Sequence, residues 1–295
     1  MAWFTAEHRV LLAAVDQAAA TAWDAHTSQL AWTLATFLEI QGHWHDYATT
    51  QRAAVDAADR LGDPTLQIRA HRLFANASTQ LGRFDDAHTH LLNALDLSTR
   101  AGDQVGQART HDSLAFLKER QGHYSEALDH AQRALALFRA ADSRSGHAAA
   151  LNTVGWLHAM LGDYQQALNF CQQAVALHQE LGDRDGQGIA ETWDSLGYVY
   201  HHLGDHRQAI TSYQHALDLF RDLGNRYQQA DTLTHLGDTH HADNPDAARA
   251  VWQQALTILE DLDHPDAEQV RTRLHNLDQH TPLTGPADHD PKPQL

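Results

Sequence analysis

The stretch LGDYQQA, from Leu161 to Ala167, decides the fold because variants of it recur along the chain. The glycine of each copy stands at position 42, 82, 122, 162 or 204, and a second turn sequence follows roughly 20 residues after each glycine. Glycine ends helices readily because it enters left-handed backbone conformations without strain. Each unit of about 40 residues is therefore predicted to consist of two helices joined by glycine-containing turns.

The composition also indicates an all-α protein. Of the 295 residues 48 are Ala, and no Pro occurs from Thr65 to Asn244. A β-sheet protein of this length would need frequent turn sequences and would favour β-branched residues over Ala. Within each unit a small residue stands seven positions before the turn glycine, where the paired helices are expected to approach closely. These residues are Ala35, Ala75, Ala115, Gly155 and Gly197.

Charge and motifs exclude several classes of function. The 21 basic and 38 acidic residues give a net charge of −17, which disfavours direct contact with nucleic-acid phosphates. The only lysines, Lys118 and Lys292, do not end a phosphate-binding Gly-Lys-Ser/Thr loop. The sequence contains neither a Gly-x-Ser-x-Gly elbow nor a His-Glu-x-x-His motif, so we expect no enzyme and no cofactor. The single Cys171 is predicted to be a buried core thiol.

The apolar residues are spread in short runs. The longest of these runs, such as Leu11 to Val15, are about five residues long and far too short to cross a bilayer. The sequence does not open with a basic segment followed by an apolar run. We therefore expect a cytoplasmic protein without membrane contact, whose oligomeric state the sequence leaves open.

The repeated units resemble the tetratricopeptide repeat over roughly residues 24 to 260. The resemblance rests on the small residue of the first helix, the following LGDY-x-x-A motif and the small residue of the second helix, for example Gly155, Gly162 and Ala174. It implies a right-handed all-α solenoid of about six 40-residue helix pairs with a capping helix at each end. The expected boundaries are a capping half-repeat at 1–23, repeats at 24–62, 63–102, 103–142, 143–182, 183–224 and 225–263, a capping helix at 264–279 and a disordered tail at 280–295.

Particular segments resemble one kind of repeat array more closely. AWFTAEH at Ala2 to His8, TWDSLGY at Thr192 to Tyr198 and TLTHLGDTH at Thr232 to His240 are similar to the C-terminal sensor arrays of actinobacterial signal-transducing ATPase regulators. Those proteins are relatives of the SARP-type antibiotic regulators, in which an NB-ARC ATPase precedes the array. The resemblance implies a sensor that binds a protein or peptide, including the regulator's own ATPase domain. The chain is expected to be an excised sensor fragment or a stand-alone relative.

In such solenoids the first helix of each unit lines a concave groove. Residues at fixed offsets from the small residue predict a groove that is Arg-rich at the early end, aromatic in the centre and acidic with His at the late end. A peptide would place an apolar side chain on the aromatic centre and acidic groups on Arg72 and Arg109. The alternative is an ordinary solvated face. The candidate partner-binding residues are Trp32, Arg69, Arg72, Asn76, Arg109, Phe116, Asn152, Trp156, Asp194, Tyr198, His201 and Asp238, with Arg120, Glu191, His202, Asp231 and His241 also on this face.

A metal site is a further alternative. His201 and His241 occupy equivalent positions on successive first helices, with Asp194 and Asp238 one turn away. Imidazole and carboxylate ligands suit Zn²⁺ or Ni²⁺. Since the chain has 24 His, such neighbours are also expected by chance.

Overall fold

The computed structural model describes residues 2–182 and 186–280. Of the predicted disordered tail at 280–295, His280 is the last residue of a helix and residues 281–295 lie outside the described residues. The described residues form helices throughout and contain no β-strand. The helices are α1 (Ala2–Ala20), α2 (Asp24–Ile40), α3 (Trp44–Leu61), α4 (Pro64–Gln80), α5 (Phe84–Ala101), α6 (Gln104–Arg120), α7 (Tyr124–Ala140), α8 (Arg144–Met160), α9 (Tyr164–Leu181), α10 (Gln187–His202), α11 (His206–Leu223), α12 (Arg226–His240), α13 (Pro245–Asp261) and α14 (Ala267–His280).

The helices stack as a solenoid of six antiparallel pairs, as the sequence predicts. Each even-numbered helix from α2 to α12 packs most extensively on the helix that follows it, and then on the pair before it. The remaining helices cover the ends of the stack, because α1 packs on α2 and α3 while α14 packs on α13. Within the described residues, no helix is long and apolar enough to cross a membrane.

The turns between helices lie at the recurring turn sequences that the repeat pattern predicts. Gly62 ends α3 in the left-handed region with φ 65°, and Asp63 then caps α4 by accepting bonds from the backbone N–H groups of Thr65 and Leu66. The last pair lacks a turn glycine. There Asn244 accepts a bond from the Ala247 N–H and Pro245 begins α13, so an Asx cap and a helix-starting Pro replace the glycine turn.

The small residues of the first helices mark the closest approaches between paired helices. A Cβ added to Gly197 would lie 2.5 Å from the Tyr213 ring, and one added to Gly237 would lie 2.4 Å from the Trp252 ring. Gly155 is in the same position against Cys171, whose side chain is fully buried. Glycine is therefore favoured in these three pairs because the facing side chain of the second helix already occupies the space that a Cβ would need. Burial raises the pKa of the Cys171 thiol to about 12, as expected for a core cysteine.

The solenoid curls far enough to bring its first and fifth pairs together. The Gln41 side chain, at the end of α2, donates from Nε2 to the carbonyl oxygen of Gly224, at the end of α11, at 3.3 Å. These residues are 183 positions apart in the sequence. The helices therefore curve into a nearly closed ring around a central cavity, and the ends of the ring approach each other at this contact.

Candidate functional site

The central cavity has a volume of about 400 Å³ and is lined from both ends of the array. Its walls come mainly from the first helices of the pairs, α6, α8, α10 and α12, with further residues from α2, α3 and α4. Aromatic rings make up much of the apolar lining, namely Trp44, Tyr47, Phe116, Trp156, Phe220 and Tyr227. A cavity of this size with convergent polar groups is typical of a ligand-binding site.

Carboxylates dominate the polar lining of the cavity. Among the described residues that line it, Arg120 is the only basic one. The acidic ones are Glu39, Asp112, Glu119, Glu191, Asp194 and Asp231. The lining therefore carries a strong excess of negative charge over positive, and it offers a ligand mostly hydrogen-bond acceptors.

Neutral side chains hold several of these carboxylates in place. The Trp156 indole donates from Nε1 to Glu119 Oε1 at 2.6 Å, across from α8 to α6. Thr153 Oγ1 donates to Asp112 Oδ1 at 3.2 Å between the same two helices. In α10, Gln187 Nε2 donates to Glu191 Oε1 at 3.0 Å. Each bond uses one oxygen and leaves acceptor capacity on the carboxylate for a ligand.

Burial of these carboxylates makes their negative charge costly. Burial raises the pKa of Asp112, Glu119 and Asp231 above their usual values. Burial, with smaller contributions from the carboxylates of Glu39, Asp112 and Asp194, raises the pKa of Glu191 to about 7. A cationic ligand would relieve this repulsion, because an opposite charge stabilises the ionised form.

At one edge of the cavity, Asp194 and Asp231 of the lining form a partly buried charged triad with His235. His235 Nδ1 lies 3.4 Å from Asp194, and Asp231 lies one helical turn before His235 on α12. Burial alone would lower the pKa of His235, but the carboxylates of Asp194 and Asp231 outweigh it and raise the pKa to about 9. His235 is therefore protonated at neutral pH and neutralises part of the acidic lining.

The structure brings five of the twelve sequence-predicted partner-binding residues to the cavity wall. They are Asn76, Phe116, Asn152, Trp156 and Asp194. Tyr198 lies behind the wall, where its ring meets the Trp156 ring edge-on with centroids 5.0 Å apart. Of the further residues predicted on this face, Arg120, Glu191 and Asp231 also line the cavity.

None of the early arginines Arg69, Arg72 and Arg109 is among the residues that line the cavity, although Arg72 lies beside three that do. The Arg69 guanidinium stacks over the ring of the exposed Trp32, with 4.4 Å to the ring centroid. Arg109 is exposed on α6. Burial lowers the pKa of Arg72, and the neighbouring Tyr47, Asp112 and Glu39 oppose that effect. The cavity therefore has no Arg-rich end, since carboxylates from early and late helices face it together.

The late candidate residues have partners of their own. Asp238 accepts two bonds from the Arg273 guanidinium of α14, at 2.9 and 3.2 Å. The His201 ring stacks on His206 with centroids 5.6 Å apart, and the exposed His241 lies beside the Trp252 ring. Asp238 thus joins the capping helix to α12, whereas the cavity wall is formed by other residues.

Sequence reasoning missed several lining residues. Asp112 and Glu119 stand at the same offsets from Ala115 that place other residues on the concave face, so the pattern already contained them. Trp44 and Tyr47 follow the first turn on α3. They reach the cavity because the ring closes, which local sequence does not predict.

Two clusters of potential metal ligands occur within the described parts of the chain. Asp194, Asp231 and His235 form one, and His8, His43 and Asp46 form the other. In each cluster the ligand atoms lie within 4.8 Å of one another. Neither cluster contains His201 or His241, the pair that the sequence pattern suggests.

The repeated helix pairs and the concave cavity define a helical-repeat protein of the tetratricopeptide class. The tetratricopeptide repeat model matches residues 66–140 and 188–261, and a second tetratricopeptide repeat model matches residues 147–181. The chain therefore belongs to the tetratricopeptide repeat family. Domains of this family are generally non-catalytic scaffolds that bind proteins or act as sensors.

Several solved structures share the fold at low sequence identity. BtubC (BKLC) from P. vanneervenii is 18% identical with a TM-score of 0.56, and the likeness covers 85% of this chain and 95% of that one. A Rap protein in complex with Competence and Sporulation Factor is 16% identical with a TM-score of 0.63, covering 86% and 75%. A signal-transduction ATPase with a tetratricopeptide repeat sensor, from Pyrococcus horikoshii, is 16% identical with a TM-score of 0.59, covering 85% and 38%. A comparison with curated proteins found no match.

Proposed function

We propose that this chain is a non-catalytic sensor array that binds a protein or peptide segment inside its central cavity. The acidic, aromatic-lined cavity inside the ring, whose ends meet at the contact between Gln41 and Gly224, carries this proposal. A segment in extended conformation fits such a cavity because the lining offers both apolar rings and hydrogen-bond acceptors along its length.

The charge of the lining specifies the charge of the segment. The sequence pattern alone favoured acidic groups bound by Arg72 and Arg109, but neither arginine lines the cavity, whereas six carboxylates do. A segment carrying Arg or Lys would pair with Asp112, Glu119 and Glu191, and its cationic side chains would also meet the faces of Trp156 and Phe116.

A pair of matched peptides tests this proposal. The acetylated and amidated pentapeptide GRARG should bind and alter the tryptophan fluorescence of the protein, while GEAEG should not. Asp112→Asn should weaken GRARG binding by about tenfold or more, because it removes one buried charge partner. Asp129→Asn, at an exposed position on α7 outside the cavity, should have no effect. Equal binding of both peptides, or equal affinity of both variants, would contradict the proposal.

The regulatory context of the array is the second part of the proposal. Similarity to a sensor of a signal-transduction ATPase supports a role in which the array inhibits or releases an ATPase and a DNA-binding portion. SARP-type regulators, suggested by the AWFTAEH segment, are the specific relatives that we infer. A P-loop ATPase encoded in frame upstream in the natural gene supports this role. An unrelated neighbouring gene would favour the alternative, a stand-alone scaffold or peptide receptor.

A further inference from the structure

Outside the cavity, three potential metal ligands meet where the N-terminal capping helix joins the first helix pair. His8 lies on α1, His43 immediately precedes α3 and Asp46 lies in the first turn of α3. The His8 and His43 rings stack with centroids 4.3 Å apart, and His8 Nε2 lies 3.1 Å from Asp46 Oδ2. All three ligand atoms lie within 4.8 Å of one another.

One ring nitrogen of His8 has no hydrogen-bond partner among the described residues and is therefore available to a cation. The His8 Nε2 atom is shielded from solvent and makes no hydrogen bond to any residue that the structure describes, although Asp46 is near. A buried polar atom without a partner is unusual and calls for an explanation such as a bound ion. A nitrogen that is free of a hydrogen bond can donate its lone pair to a metal.

The ligand types select the metal. Two imidazole nitrogens and one carboxylate oxygen form a donor set that suits Zn²⁺, with a fourth position left for water. Ligand atoms around tetrahedral Zn²⁺ stand roughly 3.3 Å apart. The present separations are at most 4.8 Å, so side-chain movements that bring the ligand atoms up to about 1.5 Å closer together would suffice. Asp46 is half-exposed and His8 is mostly buried, which gives an ion access from one side.

The other cluster fits a metal less well. In the cluster of Asp194, Asp231 and His235, the single imidazole already pairs with Asp194. A metal would have to displace the proton of His235, which the two carboxylates stabilise. Asp194 and Asp231 also line the cavity, where a cationic side chain of a bound segment would neutralise their charge as a metal ion would. The His8 cluster has two imidazoles instead of one.

We propose that His8, His43 and Asp46 bind one Zn²⁺ ion that fastens the capping helix α1 to the first helix pair. The ion would add to the apolar contact between Phe4 and Phe37, whose rings stack with centroids 5.3 Å apart on the same side of α1. Metal binding to the folded state alone stabilises that state, so the ion makes the cap less prone to fray.

The next repeat provides a matched control. Asp86 occupies the position of Asp46 forty residues later, but Arg83 replaces His43 and Ala48 replaces His8. Asp86→Asn should therefore leave zinc binding unchanged. A second control is His45→Ala, which removes an exposed histidine from the same turn of α3 without removing a ligand.

The test is a calorimetric titration of the full chain with ZnCl₂ after dialysis against a chelator. We expect one strongest site per chain, weakened about tenfold or more by His43→Ala and by Asp46→Asn, and unchanged in both controls. Hydrogen exchange of the α1 amides should slow when ZnCl₂ is added to wild type but not to His43→Ala. Circular dichroism checks that each variant retains its helices.

Other results would overturn the proposal. It fails if wild type binds no stoichiometric Zn²⁺, or if His43→Ala and Asp46→Asn bind as tightly as wild type. It also fails if Asp231→Asn is the variant that removes the strongest site, because the ion then lies in the cavity. Zinc that binds at the expected residues without slowing exchange in α1 would overturn the proposed fastening role.

Discussion

The Gln41 side chain and the Gly224 carbonyl oxygen, 3.3 Å apart, join the end of α2 to the end of α11. This contact brings the ends of the ring together, because the two helices belong to the first and fifth pairs. Glu39 and Trp44 of the first pair and Glu191 of the fifth pair all line the cavity that the ring surrounds.

Removing this bond should loosen the ring without unfolding the solenoid. Gln41→Ala is expected to reduce the free energy of unfolding by about 0.5–1.5 kcal/mol and to weaken binding of the basic peptide. Gln121 occupies the same position at the end of α6, so Gln121→Ala is the control. Urea unfolding and peptide titration of both variants measure the effect. An identical response of the two would show that ring closure does not depend on Gln41.

The close approach of Gly197 to Tyr213 predicts that Gly197→Ala changes stability in the opposite direction from the same change in a free helix. In a free helix, Gly→Ala stabilises by up to about 1 kcal/mol. Here the added Cβ would lie 2.5 Å from the Tyr213 ring, so Gly197→Ala should destabilise by about 1–3 kcal/mol. The penalty should shrink when Tyr213→Leu is present, as a double-mutant cycle of unfolding free energies would show. A stabilising Gly197→Ala would refute the packing explanation.

The sequence predicts the helix pairs and these small-residue positions because both depend on local patterns. Glycine at the turns and Gly197 in the fifth unit recur in register, so spacing alone locates them. Ring closure is different, since it is the sum of small rotations between successive pairs, and no single segment encodes it. For this reason Asn76 and Trp156 could be placed on the inner face from the sequence, whereas the presence of Trp44 in the same cavity as Glu191 could not be predicted.

Two pairs of neighbouring histidines should make the fold sensitive to acid. His111 Nδ1 lies 3.0 Å from His130 Nδ1, and His71 Nδ1 lies 2.7 Å from His90 Nδ1, so each pair shares a single proton between those atoms. Burial, with a smaller contribution from the neighbouring histidine, lowers the pKa of both His90 and His111 to about 4.

These lowered pKa values determine the direction of the pH effect. The neutral pairs are favoured in the folded state, so their contribution is complete above the unfolded pKa of about 6.5 and is lost as the pH falls toward 4. Urea unfolding at pH 7 and pH 5 should show wild type losing about 1–3 kcal/mol more than the double variant His111→Leu/His130→Leu. Equal losses would contradict the role assigned to this pair.

Glu191 should control the pH dependence of peptide binding. Its pKa of about 7 means that its carboxylate gains charge between pH 6 and pH 8. Affinity for the basic peptide should therefore rise over this range in wild type. Glu191→Gln should bind more weakly and lose this rise, whereas the control Asp129→Asn should keep it. A rise of the same size in Glu191→Gln would assign the titration to another group.

The most direct test of the central claim is an unbiased selection of peptides on the immobilised full chain. A random heptapeptide library would be selected on wild type, with counter-selection on the double variant Glu119→Gln/Glu191→Gln. We predict enrichment of sequences that carry Arg or Lys and whose binding the double variant loses. Enriched peptides that are acidic, or that bind the double variant as tightly as wild type, would contradict the cavity as the binding site.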